Sequence, residues 1–220
     1  MIIAKRQSQE GLSLIELMIA ITLSIFITAA MISLFVNSKQ NYRLNENMSR
    51  LQENARFAMA FLARDIRMAD YRTCVTADRR ADAIAGTNDT GLNSSDTVTV
   101  IWQTNDCLAS VASDSTIIYS IRNGSSGAPA LFRFRSDGVN TELVELVEGI
   151  ENLQILYGED TDNDDVPNYY VDSASITNMA QAVSVRLTVV ARTLETNLTT
   201  GGGRITRNFT STVTLRNRLP

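Results

Sequence analysis

Gly11-Leu12-Ser13-Leu14-Ile15-Glu16 leads into an apolar run that meets no further ionisable side chain until Lys39. The segment Leu12–Val36 is about 25 residues, long enough to cross a bilayer as one helix. Its single charge, Glu16, sits near the front edge, where an unpartnered carboxylate costs about 2.5–3.5 kcal/mol on insertion scales. Lys5 and Arg6 precede the run, so the positive-inside rule places the N-terminus in the cytoplasm and everything after Val36 outside. A plain uncleaved signal anchor, with Glu16 snorkelling to the headgroups, would share this layout. An ordinary secretory signal would not, because its small-residue cleavage site follows the apolar core instead of preceding it.

A polar leader, then Gly11, an apolar residue and a glutamate four positions further on resemble the class III leader of type IV prepilins and of type II secretion pseudopilins. The resemblance implies that a membrane prepilin peptidase cuts between Gly11 and Leu12 and N-methylates Leu12. It also implies that Glu16 is the charge that sets register during assembly. The new α-amine would lie about one helical turn, roughly 6 Å, from Glu16 and could partner it, or neighbouring subunits could match the charges instead.

The 220 residues leave room for this anchor and one globular domain. Formal charge is −4; removing Lys5, Arg6 and Glu10 changes 20 basic and 24 acidic residues to 18 and 23, a net −5. Bulk charge of that sign argues against direct nucleic-acid binding. Histidine is absent, which excludes histidine triads and histidine-ligated zinc. No nucleophile elbow, Walker loop or dinucleotide fingerprint is present, and an enzyme is not expected. Cys74 and Cys107 both fall on the expected outside, where an even count favours a disulfide over two buried thiols. Closing a loop of about 33 residues would contribute roughly 3–4 kcal/mol.

Beyond the anchor, Leu44, Met48, Leu51, Ala55, Ala58, Leu62, Ile66 and Ala69 recur at three- and four-residue steps and mark one apolar helix face. With no proline from Leu12 to Tyr71, the helix is expected to run about 60 residues, roughly 90 Å. Residues 73–96 read as a long polar loop with at most a short helix. Strand signals follow at Val98–Gln103, Ile117–Arg122, Leu131–Arg135, Glu142–Val147, Leu153–Tyr157, Val183–Ala191 and Asn208–Leu215, punctuated by Asn123-Gly124, Asp137-Gly138 and Gly201-Gly202-Gly203. The expectation is an α+β fold, a long N-terminal helix packed on a largely antiparallel sheet. Its parts are a leader (1–11), a membrane or filament-core helix (12–36), the amphipathic continuation (37–72) and a β-rich periplasmic or extracellular domain (73–220).

Asp65-Ile66-Arg67-Met68-Ala69-Asp70-Tyr71 followed by Cys74, and Val147-Glu148-Gly149-Ile150-Glu151-Asn152-Leu153-Gln154-Ile155-Leu156-Tyr157-Gly158, are similar to the helix end and central signature of PilW-type minor pilins. The J-component pseudopilins of type II secretion share the layout and stay open as an alternative. The resemblance implies a low-abundance subunit that helps start or cap a type IV pilus. Its partners would be other minor pilins, the major pilin, the prepilin peptidase and the inner-membrane assembly platform. It would reside first in the inner membrane and then in the surface fibre.

Asp160, Asp162 and Asp164 alternate as the opening of a calcium loop does, with Val166 and Asn168 at later ligand positions. Asp165 stands where that loop has its turn glycine, and Val171 where its closing glutamate belongs, so Glu159 or Asp172 would have to complete a site. A solvated acidic turn is the competing reading. For a tip adhesin or DNA-binding module, Trp102 with Arg133 and Arg135 is the candidate surface, against a core role for Trp102. The Asn-x-Ser/Thr triplets, such as Asn88-Asp89-Thr90, are given no role.

Overall fold

The structure, a computed structural model, describes residues 11, 13–72, 81–103, 114–199 and 201–219. Among the described residues one α-helix, α1, runs Leu14–Ile66, and nine strands follow it. The chain divides into two compact units, 1–46 and 47–220.

The first unit is the N-terminal part of α1. From Leu14 to Val36 its large apolar side chains are exposed, and the helix is long and apolar enough to cross a membrane. Three hydroxyls in this stretch are turned back on their own helix. Thr22 donates to Met18 O and Ile19 O, Ser24 to Ala20 O at 2.7 Å, and Thr28 to Ser24 O at 2.7 Å. Each donor is thereby satisfied without water, which is what a helix in hydrocarbon requires.

In the second unit α1 lays Leu51, Ala55, Ala58, Leu62 and Ile66 against two sheets, with Met48 half-buried at the start of the stripe. The helix stops at Ile66, short of the expected Tyr71. Met68 N and Ala69 N bond only three residues back, to Asp65 O and Ile66 O. Asp70 then takes φ 61°, a left-handed conformation that aspartate tolerates and a helix cannot continue through. Its N–H crosses to Ile101 O at 3.1 Å.

The expected single sheet is two. The first is a meander, β1-β2-β3-β4-β5, made of Ile84–Thr87, Thr97–Gln103, Asp114–Asn123, Pro129–Ser136 and Thr141–Glu148. The second has the order β7-β6-β8-β9, from Ile150–Glu159 (β6), Tyr169–Val171 (β7), Ala182–Arg192 (β8) and Thr206–Thr214 (β9). All pairings are antiparallel. Period-two alternation sets the faces. Ile117, Tyr119 and Ile121 of β3, with Val185, Leu187 and Val189 of β8, point into one core that also holds Leu131, Leu153 and Val213. Each such side chain, fully buried, contributes about 1.5–3 kcal/mol. Two strands escaped the sequence reading. β1 lies in the segment read as loop and contains Gly86, and β7 is three residues long; neither carries an alternating apolar signal.

The passage between sheets is made at Gly149. It has φ 76°, and a Cβ there would stand 2.8 Å from Arg192 O. Its N–H donates to Pro129 O and its carbonyl accepts Arg192 N at 2.8 Å, so one residue is tied to both sheets.

Candidate assembly interface

Gly11 and Ser13 are exposed, and Leu12 and the residues before Gly11 lie outside the described residues. Glu16 is exposed in the first turn of α1. There the partial positive charge of the helix N-terminus favours a carboxylate, a sequence-independent reason for an acid at this position.

Within the second unit, the helix end is held by buried charge. Asp65 lies on the stripe next to Ile66 and is buried. Its carboxylate accepts Tyr119 Oη at 2.7 Å, Arg133 Nε at 2.8 Å and Arg64 Nε at 3.1 Å, joining α1 to β3 and β4. Burial, then the hydrogen bond to Asp65 and its charge, push the Tyr119 hydroxyl up, partly offset by Arg133. Asp70 makes the second anchor. Arg72 bonds it at 2.6 Å, and Arg218 Nε stands 3.8 Å away. Arg218 also donates to Met179 O and Ala182 O, and Asn217 donates to Arg67 O and Ala69 O. The last turn of the chain is thus clamped to the helix end. Neither aspartate was assigned a role from sequence, though a charge inside an apolar stripe, as at Asp65, is itself a signal of a buried partner.

The candidate adhesive patch does not form. Trp102 faces inward on β2 and packs against the core, and Arg133 is spent on Asp65; only Arg135 is exposed.

Asp160, Asp162 and Asp164 do come together, with ligand oxygens within 4.8 Å of one another. Asp165 takes φ 65°, the conformation the turn glycine of a calcium loop would supply. The extra ligands do not arrive. Glu159 is buried, accepting Tyr169 Oη and the N–H groups of Thr177 and Asn178, and Asp172 accepts Ala174 N and Ser175 N. Asp160 itself accepts Asn163 N at 2.7 Å, Asp165 N at 2.9 Å and Asp164 N at 3.3 Å. Burial works to raise its carboxyl, but these N–H donors, with Asp162, outweigh it and hold it below the usual carboxylate range. These hydrogen bonds close the turn. Three converging carboxylates, two of them exposed, carry no ion assignment by themselves. Cys74 and Cys107 lie outside the described residues.

The described residues combine a long helix whose N-terminal part is apolar and exposed with two antiparallel sheets, an α+β fold. Residues 118–217, from β3 to the C-terminal turn, match the family described as Type IV Pilus-assembly protein W, PilW. No curated protein matches the chain.

Proposed function

We propose that this PilW-like type IV pilus protein is a minor pilin, made as a prepilin and built into the fibre after processing. The family is one of pilus-assembly proteins and not of enzymes, and with the long apolar helix it points to membrane anchoring. In this reading the peptidase cuts between Gly11 and Leu12 and methylates Leu12. The exposed half of α1 then holds the subunit in the inner membrane, and later packs in the filament core with Glu16 setting register. The sheet domain stays on the far side of the membrane and meets the other minor pilins and the major pilin. The observation that carries the reading is the contrast within one uninterrupted helix. Its first half is apolar with no core to bury it, while its second half is the spine of a folded domain. Such a helix calls for two different surroundings, lipid first and like helices later. The match to a pilus family favours the pilus over a secretion pseudopilus.

Mass spectrometry of the mature protein tests this directly. The expected first residue is N-methylated Leu12, and a bulky residue in place of Gly11 should leave the longer precursor in the membrane. A mature chain beginning at Met1, or after the apolar stretch, would sink the reading.

A further inference from the structure

Among the described residues β9 is the last strand of its sheet and pairs with β8 along one edge only. Its outer edge therefore carries unmatched backbone donors and acceptors, a template for one more strand. Beside that edge lies a cleft of about 610 Å³ between α1 and β9, lined by Met48, Arg56 and Met59 from the helix and Arg207, Phe209 and Ser211 from the strand. Register makes the two features one site. Phe209 lies opposite Val189 and Val213 opposite Val185, so the odd-numbered side chains of β9 face the core side. A strand added to β9 would alternate in the same way and send every second side chain into the cleft.

The chemistry of the occupant follows from charge. Arg56 and Arg207 line the cleft with no acidic side chain among its lining residues, and neither has an ion-pair or hydrogen-bond partner among the described residues. From Thr196 to Pro220 the sequence has Arg204, Arg207, Arg216 and Arg218 and no aspartate or glutamate. Two methionines on the floor supply an adaptable apolar contact. We propose that the β9 edge receives an extended, acidic, partly apolar strand from a neighbouring pilus subunit, by strand addition, with carboxylates meeting Arg56 and Arg207. The identity of the neighbour as a pilus subunit rests on the minor-pilin reading; the site itself rests on β9 and the cleft. This chain's own β5 edge, Thr141–Glu148, shows the type of strand required. It carries Glu142, Glu145 and Glu148, no basic residue, and matches β9 in length to within one residue.

The test uses the full chain in lipid nanodiscs and a fluorescent peptide of the sequence TELVELVE, with binding followed by anisotropy. Saturable binding is expected, weakened about tenfold or more by R56E with R207E. The lysine peptide TKLVKLVK should bind that double variant better than the parent chain. Both arginines are exposed, and an unchanged melting temperature shows that the variant is folded. N-methylating alternate amides should abolish binding for one edge of the peptide and spare it for the other, which charge attraction alone cannot produce. Absence of saturable binding, or indifference to methylation of either edge, overturns the proposal. Self-association of the chain without peptide, dissolved by R207E, would make the occupant a second copy and overturn the assignment to a different subunit. Peptide binding and N-terminal processing are separate measurements, so each can fail alone.

Discussion

Asp96 shows how one carboxylate stitches the two sheets. It is buried just before β2, accepts Asp89 N and Ile155 N at 2.8 and 2.7 Å, and sends its own N–H to Leu153 O. Burial pushes its carboxyl up; the two N–H donors oppose this, and the charges of Asp89 and Asp172 add to the rise. Asp96→Asn keeps the shape but turns an amide NH2 toward one of the two N–H donors, at an expected cost of about 1–2 kcal/mol. The pH dependence has a definite sign. A carboxyl raised in the folded state binds its proton more tightly there than in the unfolded chain. The stability it contributes is therefore full below the unfolded value near 4 and is lost as pH rises through the folded one. Urea unfolding should show the gap between parent and Asp96→Asn narrowing from acid toward neutral pH; a widening gap would contradict the assignment. Asp65 belongs to the same scale. With Tyr119 and Arg133 both depending on it, its removal leaves a half-buried guanidinium and a buried hydroxyl without their partner.

Among the elements, the join of β5 to β6 governs how the domain is built. Gly149 holds a positive φ and approaches Arg192 O too closely for any Cβ. Gly149→Ala combines the left-handed penalty with a backbone clash and should cost roughly 2–4 kcal/mol. Thermal melts of the full chain measure this, and a variant as stable as the parent would show that the junction is slack. The helix tells a similar story of local rule and tertiary consequence. Its stripe from Leu51 to Ile66 was legible as period, because three- and four-residue spacing must place those side chains on one face. Its stop was not legible. No proline or glycine marks Ile66; the ending comes from Asp70 reaching across to Ile101 O and Arg72, contacts made by residues distant in sequence or by side chains with no helical period.

At the scale of the molecule, a disulfide between Cys74 and Cys107 is an expectation that can be tested. Both cysteines follow segments that leave from one place, since Gln103 N donates to Tyr71 O at 2.9 Å and Asp70 N to Ile101 O at 3.1 Å. Cys74 is three residues past Tyr71 and Cys107 four past Gln103. Nonreducing peptide mapping is therefore expected to recover Cys74 joined to Cys107, and free alkylation of both thiols would refute it. Loss of either cysteine should then lower stability by about 3–4 kcal/mol. What the sequence by itself determined is whatever depends on period and on solvent: a helix apolar all round and then on one face, seven of the nine strands among the described residues, and the α+β class. Those follow from residues i to i+8, so neighbours along the chain suffice. The division into two sheets, the buried partners of Asp65, Asp70 and Asp96, and the cleft beside β9 were decided only by the tertiary structure. Each depends on which strand becomes an edge or on contacts between distant elements, such as Asp65 with Tyr119 and Arg133, Asp70 with Arg218 and Asp96 with Ile155, and no local pattern encodes a distance between elements.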